Sequence, residues 1–376
     1  YPYIKGGEKM QIVYKFKLCP SKEQEILLQN TLDICRELYN YMKGLRERYY
    51  YYYKYSMSYN EQSKILTFLK KTEEWKSLKN IHSQVLQDVL KRLDNAYKRF
   101  FQGISGYPKF KSYRHYNSFT FPQVKTMKNP FEKKGFLLIP KIGFVKMKVH
   151  RGFNPEKVST MVIKREIDTW YVCLTCEIEE LDILDKSTSS IKAIGIDLGI
   201  NHFLALSDGT FVENPKYLRK SEARLKLLQR RLSRKEFGSN NREKARKQLV
   251  KLHRKIKNQR RDFLHKVSKF LTDTYDLIVT EALNIKNMVK NHHLAKSISD
   301  AGWGILLNYI SYKAKLKGKK HEMVNPNGTS QECICGIKVP KNLSVRVHIC
   351  PNCGIEEDRD TMSARIILKR SQFALA

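Results

Sequence analysis

The sequence has 376 residues, which is enough for two or three domains with separate hydrophobic cores. Its 71 Lys and Arg outnumber its 37 Asp and Glu, and the resulting formal net charge of +34 indicates a polyanionic partner. No apolar run reaches the roughly 18 residues of a membrane-spanning helix, which excludes a transmembrane segment. Because the positive charge is spread along the chain and interleaved with 21 Tyr, nucleic acid is favoured over a membrane surface.

The beginning of the chain and its cysteines indicate the compartment. Residues 1–9 lack the apolar region of a signal peptide and are expected to be a tag or a disordered start, with Met10 as a plausible natural start. Four of the eight cysteines cluster near the C-terminus. This pattern suits a reducing compartment and one metal site better than a disulfide framework, so we expect a cytoplasmic protein.

The first hundred residues predict one strand followed by helices. Residues 11–18 alternate between polar and apolar side chains and predict a strand, after which Ser21 is a candidate helix N-cap. A second helical pattern runs from about residue 81 to 101. Between the two helices, tyrosines occupy every position from 49 to 53. They predict either a surface on which nucleobases stack or a helix that is aromatic on both faces.

The next part of the chain predicts β structure. Strand patterns separated by Pro, Gly and Asn turns occupy residues 118–122, 136–139, 145–149, 158–165 and 170–178. We expect a small β-barrel that the first strand joins. Cys173 and Cys176 have the spacing of a ligand pair, but an odd separation on a strand sends them to opposite faces, so we expect them to pack. Residues 181–190 form a polar linker.

Three carboxylates stand beside apolar segments in the second half. Asp197 lies within the run 194–200, Glu281 ends the apolar strand pattern 277–280, and Asp360 precedes an apolar segment. A carboxylate in such a position is costly unless a metal or a cation pairs with it. Each acid alone could merely cap a helix or pair with a nearby Lys or Arg. Together, in a strongly basic chain, they suggest a divalent-metal nuclease of the RNase H type.

A basic helical region separates the first two acids. Residues 216–269 contain 21 Lys and Arg against four acids, with leucine stripes on both sides of a Gly-Ser-Asn-Asn break. This pattern predicts a helical hairpin with one packed face and one basic face. The basic face is either simply solvated or in contact with phosphates, and we favour phosphate contact. The candidate phosphate-binding side chains are Arg242, Lys244, Arg246 and Lys247.

Two cysteine pairs, each followed by glycine, precede Asp360. The pairs are Cys333 with Cys335 and Cys350 with Cys353, and fourteen residues lie between the pairs. They predict a zinc ribbon in which four thiolates bind one Zn²⁺. Since the first pair is one residue shorter than the usual knuckle, His348 is an alternative ligand, and a ribbon without metal is the other alternative.

The order of these motifs is more specific than any one of them. The landmarks are Gly195-Ile196-Asp197-Leu198-Gly199, Thr280-Glu281, Thr329-Ser330-Gln331, Cys350-Pro351-Asn352-Cys353-Gly354 and Asp358-Arg359-Asp360, together with Leu18-Cys19-Pro20 and Gly106-Tyr107-Pro108-Lys109-Phe110-Lys111. This series resembles the TnpB family, the compact RNA-guided nucleases of insertion sequences that are related to type V CRISPR effectors. The resemblance covers nearly the whole chain from Met10.

The resemblance implies a multidomain α+β fold. Residues 10–20 and 112–186 would form a wedge-type β-barrel, residues 21–111 a helical recognition lobe, and residues 187–376 an RNase H-like (RuvC) α/β domain with the basic hairpin 216–272 and an inserted zinc ribbon at 329–356. Asp197, Glu281 and Asp360 match the catalytic acids that bind two Mg²⁺. The four cysteines match the zinc ligands.

Three further positions compare with the family pattern. Arg346 matches a basic position near the nuclease site. Met362 stands where the family usually has Asn, and His348 replaces the usual aromatic residue before the third cysteine.

The implied function is that of an RNA-guided DNA endonuclease of a transposable element. It would use a structured guide RNA, one protein chain per RNA, to cut double-stranded target DNA next to a short flanking motif, at the nucleoid of a prokaryotic cell. The alternative is an RNA-guided, repressor-like DNA-binding protein with weak or no cleavage, which the intact set of acids disfavours. A third interpretation, a DNA-strand transposase, is not supported, because the sequence lacks the motif that pairs a tyrosine with histidines.

Overall fold

The structure is a computed structural model that describes residues 10–178, 191–342 and 345–371. The expected tag, the polar linker and the last part of the predicted barrel region, 179–186, lie outside the described residues. The chain divides into two compact units, residues 1–179 and 180–376.

In the part of the chain that the structure describes, no helix is both long enough and apolar enough to span a bilayer.

The first unit is built on an antiparallel sheet of six strands. These are β1 (Met10–Cys19), β2 (Ser118–Phe121), β3 (Phe136–Ile139), β4 (Gly143–Lys148), β5 (Val158–Glu166) and β6 (Thr169–Ile178), in the order β2-β5-β6-β1-β4-β3. The first strand lies between β6 and β4, so the expectation that it joins the later strands is confirmed.

The predicted β-barrel is an open, half-barrel sheet. Among the described residues no ladder joins the edge strands β2 and β3. Helix α3 (Ser83–Phe101) packs beside β2 instead, and its Arg92 donates a hydrogen bond of 2.8 Å to the carbonyl oxygen of Ser118. Helix α3 therefore lies against the edge strand β2, at the position that another strand would occupy in a closed barrel.

Two more helices complete this unit. Helix α1 (Lys22–Tyr53) begins at Ser21, whose hydroxyl accepts from the Gln24 N–H while the Gln24 side chain accepts from the Ser21 N–H. Helix α2 (Tyr59–Leu69) was not foreseen from the sequence. Its buried face is short and includes the polar residue Gln62. The Gln62 side-chain amide donates a hydrogen bond to the Met42 carbonyl oxygen.

Cys173 and Cys176 lie on β6. Cys176 is buried in the core between the sheet and the helices, and Cys173 is half-buried. The expected packing role is confirmed for Cys176.

The second unit contains a mixed sheet of five strands. These are β7 (Ala193–Leu198), β8 (His202–Leu206), β9 (Phe211–Glu213), β10 (Leu277–Glu281) and β11 (Lys320–Val324), in the order β11-β10-β7-β8-β9. Strands β7, β10 and β11 are parallel, whereas β8 and β9 return antiparallel. A separate two-stranded ladder joins β12 (Val347–Ile349) and β13 (Glu356–Asp358).

Helices cover both faces of this sheet. They are α4 (Tyr217–Ser233), α5 (Asn240–Thr274), α6 (Ile285–Met288), α7 (His292–Ala301), α8 (Trp303–Leu316) and α9 (Arg359–Lys369). The predicted hairpin is confirmed as α4 and α5, and Ser239 at the break accepts a hydrogen bond from the Arg242 N–H. One apolar cluster joins Ile196 to α5 and α8, and a smaller one joins Val279 to Ile367 of α9.

Candidate active site and metal centre

Strand register places two of the predicted acids side by side. In the parallel ladder of β7 and β10, Ile196 lies opposite Thr280. Asp197 and Glu281 are the next residues of their strands, at the carboxyl end of each. The carboxyl ends of parallel strands are where α/β folds commonly place functional side chains.

The third acid reaches the same face of the sheet because α9 lies unusually close to β7. A Cβ atom added to Gly195 would stand 2.1 Å from the Ala364 carbonyl oxygen, so only glycine allows this approach. Side chains at i and i+2 of a strand share a face, and Asp197 therefore lies on the α9 side. Asp360 is in the first turn of that helix.

The electrostatics of Asp197 agree with this placement. Burial, followed by repulsion from Glu281 and from Asp360, raises the pKa of Asp197 to about 8, while Arg359 opposes the rise. Burial also raises the pKa of Glu281. The carboxylates of Glu281 and Asp360 therefore both lie close enough to Asp197 to disfavour its negative charge.

Neighbouring polar groups hold the other two acids. The Thr329 hydroxyl donates to the Glu281 carboxylate, and both side chains are buried. Asp358 caps α9 by accepting from the Asp360 N–H at 2.8 Å. The Asp360 carboxylate contacts Arg359 at 2.9 Å and Arg346 at 3.7 Å. Arg346 and Arg359 are thus the two cations in contact with the Asp360 side chain among the described residues.

The three acids do not converge as tightly as the cysteines do. Within the described ranges, Cys333, Cys335, Cys350 and Cys353 are the one group of three or more candidate ligands whose ligand atoms all lie within 4.8 Å of each other. The carboxylates share one face and one electrostatic field, but they do not form a closed cage for a single ion.

The cysteine cluster has the dimensions of a tetrahedral thiolate site. The sulfur atoms of Cys333 and Cys353 lie 3.6 Å apart, as do those of Cys335 and Cys350. Four sulfurs at about 2.3 Å from a central Zn²⁺ would lie about 3.8 Å from each other. The residues present therefore fit zinc.

The short first knuckle closes through a glycine with positive φ. Gly336 has a φ of +95°, and its N–H donates to the Cys333 carbonyl oxygen at 2.9 Å. The Ile337 N–H, followed by the Asn352 side-chain amide, lowers the pKa of the Cys335 thiol to about 6. A lowered thiol pKa favours the thiolate, which is the form that binds metals.

His348 does not take part in this cluster. Its ring is buried, and its Nδ1 atom contacts the Lys341 amine. With four sulfurs already assembled, the alternative of a histidine ligand is not needed.

The candidate phosphate-binding residues of the hairpin differ in their surroundings. Lys244 and Lys247 are exposed on α5. Arg242 donates instead to the carbonyl oxygens of Leu232 and Lys235 at the end of α4. Arg246 pairs with Glu243, at 2.5 Å. The two lysines are therefore the members of the set that present their charge outward.

Thr329 and Arg359 are site residues that sequence reasoning named only as parts of motifs. Thr329 was a family landmark without a role, although a buried hydroxyl needs a hydrogen-bond partner. Arg359 stands between two acids, and its guanidinium contacts the second of them. Its position within a run of acidic residues is the sequence feature that could have predicted its contact with a carboxylate.

Three family models match separate parts of the chain. Residues 173–292 match the OrfB_IS605 family, described as "Probable transposase", and residues 303–367 match the "Cas12f1-like, TNB domain". Residues 10–54 match a "Helix-turn-helix domain". In the structure this last segment contains strand β1 and the single helix α1.

Two of the following three relatives cover nearly the whole chain. A protein of Methanocaldococcus jannaschii named "TnpB-like protein MJ0751" is 34% identical over 30% of this chain and 42% of that protein. A "Putative RNA-guided DNA endonuclease" of Streptomyces pristinaespiralis is 33% identical over 98% of this chain and 91% of that protein. The chain belongs to the TnpB family. Another relative, "Putative RNA-guided DNA endonuclease InsQ" of Escherichia coli K12, is 30% identical and covers 96% of the chain and 93% of its own length.

A solved structure supports the fold of this TnpB-family chain. The protein in a cryo-EM structure of a Cas12f1–sgRNA–target DNA complex superposes with a TM-score of 0.56. The alignment covers 96% of this chain and 98% of that one at 14% sequence identity, so it shows a shared α+β fold.

Proposed function

We propose that this TnpB-family chain is an RNA-guided DNA endonuclease of an insertion-sequence element. The observation that supports it most is the joint placement of Asp197, Glu281 and Asp360 at one end of one sheet face. Two relatives that cover almost the entire chain are each named as a "Putative RNA-guided DNA endonuclease", which supports the guided activity. The net charge of +34 is what a complex with both RNA and DNA requires.

The three carboxylates would bind Mg²⁺, as two ions. Carboxylate oxygens are the protein ligands that Mg²⁺ prefers. Burial, together with repulsion from Glu281 and Asp360, raises the pKa of Asp197, and a divalent cation would offset both effects. When bound, such a metal pair supplies an activated water and stabilises the leaving oxygen of an in-line phosphodiester displacement.

Other residues of the site position these acids. The Thr329 hydroxyl fixes the Glu281 carboxylate, and Asp358 fixes the first turn of α9 on which Asp360 lies. The Arg346 side chain is half-exposed beside Asp360 and would meet the phosphate backbone of a bound strand. These contacts orient the ligands before the substrate arrives.

The cysteine cluster would bind one Zn²⁺ in a structural role. Its closed set of four sulfurs leaves no open position for substrate, unlike a catalytic zinc site. The metal would stabilise the segment between β11 and α9, and with it the approach to Asp360.

The domain assignment follows the family. The order β9-β8-β7-β10-β11, with three antiparallel strands followed by two parallel ones, supports an RNase H-like (RuvC) domain. The half-barrel would be the wedge domain, and helices α1 to α3 the recognition lobe. The protein would act as one chain per structured guide RNA on double-stranded DNA, at the nucleoid in the cytoplasm of a prokaryotic cell.

The test is to sequence the RNA that co-purifies with the protein and then to challenge the complex with DNA. We expect one discrete structured RNA with a variable 3′ end, and Mg²⁺-dependent cutting of DNA that matches this end beside a short motif. Guided binding without cutting would favour the repressor-like alternative. Cutting without regard to complementarity would contradict the proposal.

A further inference from the structure

Helix α1 extends beyond the core of the first unit. Its buried positions recur along one stripe, and the last of them is Arg46, whereas the helix continues to Tyr53. At a rise of about 1.5 Å per residue, roughly 10 Å of helix therefore projects past the packed region. This projecting end consists largely of the tyrosine tract, residues 49–53.

The tract is exposed on all sides of the helix. Tyr49 is 40% exposed, and the next four tyrosines are 59–72% exposed. Five consecutive helical positions turn through more than a full circle, so no single neighbour explains them all. Tyrosine is also only a moderate helix former, and an extension needed for helix stability alone would favour Ala, Glu or Lys.

The rings of the tract contact one another at an angle and not by parallel stacking. The ring planes of Tyr49 and Tyr53 are inclined at 51°, those of Tyr51 and Tyr52 at 86°, and those of Tyr52 and Tyr53 at 59°. None of these pairs is parallel, so the rings do not cover one another face to face. Each open face can accept a nucleobase.

The charges beside the tract are positive. Arg48 and Lys54 are exposed, and the Lys54 amine lies 5.8 Å from the Tyr50 ring centroid and 5.9 Å from that of Tyr51. The one acid close by in the helix, Glu47, is already paired with Lys43. Aromatic faces next to cations are suited to a flexible polyanion with unstacked bases.

We infer that the tyrosine tract is a stacking platform for unpaired nucleotides of RNA. RNA is favoured over DNA because every ring in the tract has a phenol hydroxyl, which can exchange hydrogen bonds with a ribose 2′-hydroxyl, whereas phenylalanine cannot. This inference rests on the proposed function in one respect, which is that RNA is a partner of the chain. It adds a recognition surface in the first unit that requires none of the three acids.

The experiment measures the affinity of the full-length protein for short fluorescent oligonucleotides. The probes are a 12-nucleotide oligouridine, the oligodeoxyuridine of equal length and a 12-base-pair DNA duplex. Salt of about 0.3 M weakens the general phosphate contacts. One variant replaces Tyr50, Tyr51, Tyr52 and Tyr53 with Ala, and a second replaces the same four with Phe. Phe68→Ala, an aromatic position on α2 that is 66% exposed, is the matched control.

The Ala variant should bind the RNA probe at least about fivefold more weakly, because the bases lose the aromatic faces on which they stack. Its duplex affinity should stay within about twofold, as should all affinities of the control. The Phe variant should keep most of its affinity but lose the preference for RNA over DNA. Since these positions lie past the last buried residue of α1, the melting temperature should not change.

Three outcomes would overturn the inference. The first is an unchanged RNA affinity of the Ala variant. The second is equal loss for the RNA probe and the duplex, or a wild-type protein without preference for RNA. The third is a wild-type dimer in light scattering that the Ala variant converts to monomer, which would assign the tract to contact with a second copy. None of these measurements involves DNA cutting, so the proposed nuclease function could be contradicted without contradicting the inference about the tyrosine tract.

Discussion

The two candidate metal sites of the second unit are assembled in opposite ways. The four cysteines come together through short turns, and all their sulfur atoms lie within 4.8 Å of each other. The three acids come from two strands and a helix that are far apart in sequence, and they meet only because the sheet and α9 pack together. The cysteine site is complete once its two short turns form. The carboxylate site depends on the packing of the sheet against α9.

This difference extends to electrostatics. Backbone N–H groups lower the pKa of the Cys335 and Cys350 thiols, while burial raises the pKa of Cys333, so the ribbon itself stabilises two of its thiolates. At the other site, burial and the neighbouring carboxylates raise the pKa of Asp197. Two thiolates of the ribbon are therefore stabilised by its own backbone, whereas the charged form of Asp197 is destabilised by its surroundings, which a cation would offset.

Replacing Asp197 with Ala should lower DNA cleavage by roughly 1,000-fold or more, because metal-assisted charge stabilisation is worth several kcal/mol. Affinity for RNA and for target DNA should stay within about twofold. Cleavage of a matched plasmid and a filter-binding assay measure the two quantities. The control is Asp262→Ala, which removes an exposed acid that pairs with Lys266 on α5. Equal cutting by the Asp197 variant would remove this residue from the catalytic site.

Replacing Cys353 with Ser should abolish zinc binding and expose the ribbon to proteolysis, since structural zinc contributes directly to folding. Metal analysis of protein purified without chelator should find about one zinc per wild-type chain. Cys173→Ser, in the half-barrel, should leave zinc content unchanged. A wild-type protein without zinc would mean that the cysteines pack without metal.

Replacing Thr329 with Val should lower cleavage about 10- to 100-fold, the usual cost of losing a group that orients a metal ligand. The deficit should shrink at high Mg²⁺, and calorimetry on the protein without nucleic acid should show weaker Mg²⁺ binding. Thr329→Ser keeps the hydroxyl that donates to Glu281 and should behave nearly as wild type. A Ser variant as defective as the Val variant would point to packing as the cause.

Replacing Lys244 and Lys247 with Gln should weaken binding to all targets alike and lower the salt slope by about two, one unit per phosphate contact. Zinc content and the cleavage rate at saturating protein should not change, so this variant separates surface charge from both metal sites. Arg246→Gln should alter the slope less, because Arg246 already pairs with Glu243. Identical slopes for wild type and the lysine variant would make this face merely solvated.

The parts of the fold that were predictable are those whose signals are local. Ser21 marked the start of α1, the Gly-Ser break marked the hairpin, and the cysteine spacing marked the ribbon. Helix α2 has a comparable start signal, a capping box of Ser58 and Glu61, but its apolar stripe is interrupted by the buried Gln62 and so predicts no helix by periodicity. The openness of the half-barrel depends on how α3 meets β2, which no local pattern encodes.

The candidate active site also combines residues that the sequence could predict with contacts that it could not. The three acids stood out because charge within apolar runs is unusual. Their supporting contacts did not, since the bond from Thr329 to Glu281 spans 48 residues of sequence. Likewise, lysines and arginines of the hairpin look equivalent in sequence, and only the fold shows that Arg242 contacts the end of α4.

The glycine at position 195 has a consequence for how this protein tolerates change. Backbone touches backbone where α9 crosses β7, so the span between Asp197 and Asp360 is set by atoms that every amino acid shares. Even a methyl group at this position would push α9 away from β7 and so separate the two acids without replacing either of them.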